Sequence, residues 1–171
     1  MKVSILVFNR ENLGRISEED LMNEITESNY ATLCRQYGLD PSQIEPAMNN
    51  LEVVGAVGDH APFFLVKYGE IKSRAVLVQQ WDADAGGGKA LLHDVVEGIA
   101  LESLKSRLKE TRRIIEVTLA PVQLKDMGLL LAYEIARWAA FRGDGVVYGL
   151  DGAWYRLNQY KAFVPLNFSK D

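Results

Sequence analysis

The residues whose types and spacing bear on chemistry gather in one stretch, Trp81-Asp82-Ala83-Asp84-Ala85-Gly86-Gly87-Gly88-Lys89. Glycines ahead of a helix leave backbone N–H groups free to close on an anion, and Lys89 adds a positive charge. With His93 a little further along, Gly86, Gly87, Gly88, Lys89 and His93 make up an anion- or ligand-binding reading of this loop. The phosphate-loop signature fails, however: Ala83 stands where its first glycine belongs, Ala90 where Ser or Thr belongs, and two aspartates repel a phosphate. Asp82-x-Asp84-x-Gly86 matches the opening of a calcium loop, but the later oxygen ligands and the closing Glu are missing. A metal held by Asp82, Asp84 and His93 would need the loop to fold back on the helix, which spacing does not show. The plain alternative is a strand-to-helix connection with aspartates near a helix N-terminus.

Other candidates are weaker. Gly143-x-Gly145 followed by Gly149 misses the dinucleotide fingerprint by one position and precedes a hairpin instead of a helix. Cys34 sits beside Leu33 on the apolar side of a helix, where a small apolar role fits better than a thiolate. His60, in a turn, and His93, on a helix, have no sequence partner that marks a general base. Glu134 and Arg137, one helical turn apart, form either a buried or a surface pair. The expectation is therefore no catalytic residue, no metal and no cofactor. Trp81 with Asp82 and Asp84 remains as a partner-binding group, because a rigid aromatic flanked by charge is the make-up of a binding hot spot. Trp154, in a hairpin with Tyr155, is the second such place.

These residues have to be positioned by a core, and the stretch from Pro121 to Phe141 organises it. Leu124, Met127, Leu131, Ile135 and Trp138 fall on one helical stripe. Leu129, Tyr133, Ala136 and Ala140 make the opposite side apolar too, so the helix should be covered from two directions. Pro121 suits its first turn and Gly143 the residue past its end. Val3 to Phe8 reads as a strand buried on both faces, with Val3, Ile5 and Val7 one way and Leu6 and Phe8 the other. Ser17 before Glu18, Glu19 and Asp20 starts a helix; Ser28-Asn29 starts a second that Gly38 stops; Asp40-Pro41 begins a third. Leu51 to Val57, Phe63 to Tyr68 and Arg74 to Trp81 form an antiparallel meander with turns at Gly58-Asp59 and Gly69-Glu70. A helix from about Lys89 to Lys109 follows, with a kink or second contact surface expected at Gly98 because its two halves carry opposite stripes. Arg113 to Leu119 alternates as a strand with one wet face, and Asp151-Gly152 closes a hairpin. The apolar tail from Tyr160 to Phe168 should pack on the far side of the 121–141 helix. This order predicts an α+β fold: a ferredoxin-like β-α-β-β-α-β core with a mostly antiparallel sheet, plus a C-terminal helix and β-hairpin.

Composition bounds the rest. With 171 residues and 48% apolar content, the chain reads as one domain, 1–171. A net charge of -4 leaves no positive surplus for phosphates, which argues against nucleic acid and anionic membrane and for a basic protein partner. One cysteine excludes an internal disulfide, and the first apolar run turns polar at Asn9, too soon for a signal core or spanning helix. A cytoplasmic location is expected; a homodimer is compatible with it.

Within 114–154, the helix Leu131-Ala132-Tyr133-Glu134-Ile135-Ala136-Arg137, the turn Gly143-Asp144-Gly145-Val146 and the aromatic Trp154 follow one another after a strand. That succession resembles a pattern in small bacterial α+β proteins, among them immunity proteins of contact-dependent and polymorphic toxin systems. The resemblance covers about a quarter of the chain and is one of packing. It implies a fold neighbourhood more than an activity. Together with the acidic balance and the missing catalytic constellation it points to a non-catalytic binding protein, of the kind that neutralises a protein partner; the competing expectation is a small-molecule- or nucleotide-binding enzyme using the 81–94 loop.

Overall fold

The computed structural model describes residues 2–14, 16–57, 62–70 and 74–166. Strand β1 (Val3–Asn9) lies near the centre of an eight-stranded sheet. The other strands are β2 (Glu52–Val57), β3 (Pro62–Lys67), β4 (Ala75–Asp82), β5 (Arg113–Leu119), β6 (Gly145–Tyr148), β7 (Trp154–Leu157) and β8 (Phe163–Pro165). Their order is β2-β3-β4-β5-β1-β6-β7-β8, and every neighbouring pair is antiparallel. The fold is α+β, as the sequence order indicates, but the strand order is not ferredoxin-like. In the ferredoxin-like order one strand separates the two strands that each helical crossover joins, whereas here β5, β4 and β3 all lie between β1 and β2, and β4 and β5, joined through helices, are direct antiparallel neighbours. One crossover does keep the ferredoxin-like spacing. β5 and β6 both run antiparallel to β1 and flank it, so they are parallel to each other with β1 between them.

The helix that makes this crossover, α6 (Met127–Gly143), occupies the first face of the sheet. Twelve of its 17 residues are buried, which makes it a central helix and not a one-sided surface one. Met127, Leu131, Ile135 and Trp138 are buried as their stripe requires, against Ile5, Val7, Ile115 and Val117 of the sheet. Its outer side is covered by α1 (Glu18–Thr26), α2 (Tyr30–Tyr37) and the last strands. The helix begins later than Pro121: residues Pro121–Lys125 form a 3-10 turn, and Asp126 then caps α6 by accepting from Gly128 N at 2.8 Å. Local start signals work as their chemistry demands. Ser17 accepts from Asp20 N at 3.0 Å, Asn29 accepts from Thr32 N at 3.2 Å, and Gly38 ends α2 at φ 69°. A 3-10 turn at Pro41–Gln43 and α3 (Ile44–Asn49) lead into β2.

The second face carries Leu6, Phe8, Ile114 and Val146, covered by α4 (Gly86–Glu97) and α5 (Glu102–Lys109). The single kinked helix expected over 89–109 is two helices that break after Gly98. Reversing direction lets the α4 residues Leu92, Val95 and Val96 and the α5 residues Leu104 and Leu108 face the same apolar cluster, although their stripes oppose on one continuous helix. The tail contributes β8, whose Phe163 meets Tyr133 of α6 edge-on at 5.9 Å. Phe168, His60 and the Gly58-Asp59 turn lie outside the described residues. Among the described residues no helix is long and apolar enough to cross a membrane.

Candidate functional site

The 81–94 loop joins β4 to α4 at the edge of the second cluster. Asp82 and Asp84 are exposed, and Asp82 is engaged locally: its Oδ1 accepts from Asp84 N at 2.9 Å, and its Oδ2 lies 3.6 Å from Arg113 Nη1. Trp81 is half-buried, with its indole N–H enclosed and unpaired. The glycines have a packing reason. A Cβ on Gly88 would stand 2.0 Å from the Asp82 carbonyl oxygen, and one on Gly87 would stand 3.1 Å from the Trp81 ring. Close approach of helix to strand therefore demands Gly88 and crowds Gly87, while Gly86 turns the backbone left-handed at φ 54°. Gly86 and Lys89 are exposed, and His93 is exposed between Asp94 and Glu97 at 3.7 and 3.6 Å. No group of three or more His, Cys, Asp and Glu side chains among the described residues is arranged to hold a metal. Trp154 is half-buried against Phe8 and Tyr148, with ring centroids 5.6 and 4.9 Å away, so most of its surface serves the second cluster. Cys34 is buried, and burial pushes its thiol up.

A different part of the molecule concentrates features suited to binding: the end where α6 stops and β7 turns into β8. Gly143-Asp144-Gly145 is shaped there by Asn9, which is fully buried and donates to Ala139 O at 3.2 Å. A Cβ on Gly143 or Gly145 would fall within 2.3 Å of the Asn9 side chain. Asp144 takes the left-handed conformation, φ 51°, and its carboxylate accepts from Arg10 Nε at 2.9 Å. Beside it opens a cleft of about 660 Å³, lined by Arg10, Arg107 and Arg156 together with Leu104, Phe141 and Val146.

On the other side of the β7–β8 turn lies a second cleft of about 600 Å³, between α2, α6 and residues 160–163. Its floor holds Glu134, 6% exposed, which accepts from Arg137 Nε at 3.2 Å, from Arg137 Nη2, and from Ser28 Oγ at 2.5 Å. The Glu134–Arg137 spacing thus resolves as a pair with a buried carboxylate and a half-buried guanidinium. Tyr37 stacks on Tyr133 at 5.7 Å on its wall, and burial, with Glu134 next in effect, raises the Tyr37 hydroxyl. Three of the four large apolar side chains that stand exposed among the described residues border these two clefts: Tyr37, Phe141 at 50% and Tyr160 at 79%. Lys161 sits over the Phe141 ring at 4.3 Å and links the two sides.

The sequence-derived group Trp81, Asp82 and Asp84 is together in space, at a different place from this aromatic end. Tyr160 was visible in the sequence as an aromatic near the hairpin, whereas Phe141 and the arginines belong to no motif. Comparison of the chain with protein-family models, with curated proteins and with solved structures finds no match.

Proposed function

We propose that this protein is a non-catalytic binding protein that engages a protein partner through the end bounded by Tyr37, Phe141 and Tyr160. The observation that carries this reading is the gathering there, around two clefts, of three of the four large apolar side chains exposed among the described residues. Hot spots favour Tyr and Arg over small residues, because a rigid ring or planar guanidinium buries much area at little entropic cost. Lys161 lies over the Phe141 ring, and Arg10, Arg107 and Arg156 outnumber Asp144 in the lining of the adjoining cleft, so the partner surface that fits is acidic around an apolar centre. This places the basic face at the aromatic end despite the net negative chain; the alternative of a basic partner attaches to Asp82 and Asp84. Neutralisation of a toxin, as in immunity-type proteins, is one form this activity takes.

The test is site-specific photocrosslinking in the native cell, with the reactive residue at Tyr160, at Asp84 and at the distant exposed Val122. A heterologous protein captured from Tyr160 alone, then reconstituted with the purified chain, supports the reading. Capture from Asp84 alone moves the surface to the 81–94 loop. A product of twice the chain's mass makes this end a homodimer interface.

A further inference from the structure

The two clefts differ in how their charges are balanced. In the Glu134 cleft the carboxylate and Arg137 satisfy each other. In the other, three guanidiniums meet two carboxylates, and the pairing is uneven. Arg10 takes both, with Nη1 3.1 Å from Glu110 and Nε 2.9 Å from Asp144. Among the described residues Arg107 has a neutral partner, donating from Nη2 to the Asp144 carbonyl, and no ion pair, while its Nη1 is enclosed and unpaired. Among the described residues Arg156 has no ion pair either. Burial first, and the Arg10 charge second, make Arg107 a weaker holder of its proton than an ordinary arginine, with the Asp144 and Glu110 charges opposing the shift without cancelling it. A half-buried guanidinium bonded to a neutral carbonyl is stabilised by an anion that delivers two acceptor oxygens.

We infer that the cleft between α5 and the 141–146 turn is an anion-binding site that takes a phosphate or carboxylate group carried on an apolar or aromatic body. The Arg107 and Arg156 guanidiniums, both lining the cleft, hold the anionic group, and Arg10, already neutralised, fixes the Asp144 turn that positions Arg107. Leu104, Val146 and the half-exposed Phe141 ring receive the apolar body. The volume, about 660 Å³, is in the range of small-ligand sites. The site does not depend on a protein docking at Tyr160, and small probes test it alone.

The probes are inorganic phosphate, phenyl phosphate and benzoate, titrated into the full chain by NMR and followed by thermal shift. Phenyl phosphate is expected to bind more tightly than inorganic phosphate, to move the Phe141 ring and the Arg107 side-chain signals, and to weaken with added salt. Arg107→Gln should cost about tenfold in affinity, as expected when a charge-assisted bond is lost. Arg156→Gln, on an exposed residue, gives the same test should the first variant fold poorly. Without ligand, Arg107→Gln should leave the melting temperature unchanged or raised, since it removes an uncompensated charge. Phenyl phosphate binding well above benzoate assigns the anion as phosphate; the reverse assigns it as carboxylate. The inference is overturned if none of the probes binds, or if Arg107→Gln and Arg156→Gln both bind phenyl phosphate as the wild type does.

Discussion

Replacing Arg137 by Leu should destabilise this protein more than replacing Glu134 by Leu, although the two residues form one pair. The Glu134 side chain is 5% exposed and the Arg137 side chain 31%. Without Arg137 the carboxylate keeps only Ser28 Oγ, at 2.5 Å, and stays buried under α2 and the β7–β8 turn. Breaking a buried pair in this way costs about 3–5 kcal/mol. Without Glu134, the guanidinium turns its head toward the cleft mouth and water while its stem stays packed, so the loss is about 1–2 kcal/mol. In a chain of this size that is a fall in melting temperature of roughly 10 °C against roughly 4 °C. The double variant Glu134→Leu/Arg137→Leu should be more stable than Arg137→Leu alone, because it removes the stranded charge. Urea unfolding of the wild type and the three variants at neutral pH measures all of this. Equal single losses, or a double variant whose loss is the sum of the two, would refute the argument that burial of Glu134 dominates.

Three further outcomes follow from the packing. Trp138→Ala should cost about 3–5 kcal/mol, but Trp138→Phe only about 1 kcal/mol, because it also removes an indole N–H that is buried without a partner; equal losses on urea unfolding would contradict this. Gly88→Ala sets a Cβ 2.0 Å from the Asp82 carbonyl oxygen and should cost about 3 kcal/mol, with hydrogen exchange of α4 accelerated more than that of α6. Burial raises the Tyr30 and Tyr68 hydroxyls, and a hydrogen bond to Asp151 pushes Tyr155 up to about 12. The unfolded chain therefore releases these protons first. Their contribution to stability is complete below pH 10 and lost as pH rises toward 12; a flat stability profile across that interval, measured with tyrosinate absorbance, would exclude it.

Local chemistry was the legible part of the sequence. Ser17, Asn29 and Gly38 act at the helix ends their types suit, and the period of Val3 to Phe8 assigns its two faces correctly, because these effects are settled within a few residues. Strand order was not legible. Periodicity tells which face a strand buries but not which strand lies beside it, and β1 finds β5 across more than 100 residues of chain. Gly98 marked a disturbance in the 89–109 helix, but only the tertiary need to set both stripes on one face makes it a reversal. At the candidate site, the Glu134–Arg137 spacing was visible and its burial was not, since Ser28 arrives from 106 residues away. Arg10, Arg107 and Arg156 come from three separate elements, and no spacing joins them. The glycines of the 81–94 loop were the most conspicuous signal; helix–strand contact explains Gly87 and Gly88, and a left-handed backbone at φ 54° explains Gly86.

The central claim is that Tyr160 and its neighbours form the contact surface for a protein partner. It is tested most directly by the dissociation constant of the purified partner for the wild type, Tyr160→Ala and Val122→Ala, measured at one ionic strength. Tyr160, 79% exposed and bordering the Glu134 cleft, should lose about 2 kcal/mol of binding, or roughly thirtyfold, as a hot-spot tyrosine does, while Val122→Ala stays at the wild-type value. A Tyr160→Ala variant that binds as tightly as the wild type, with Val122→Ala carrying the loss, would contradict it.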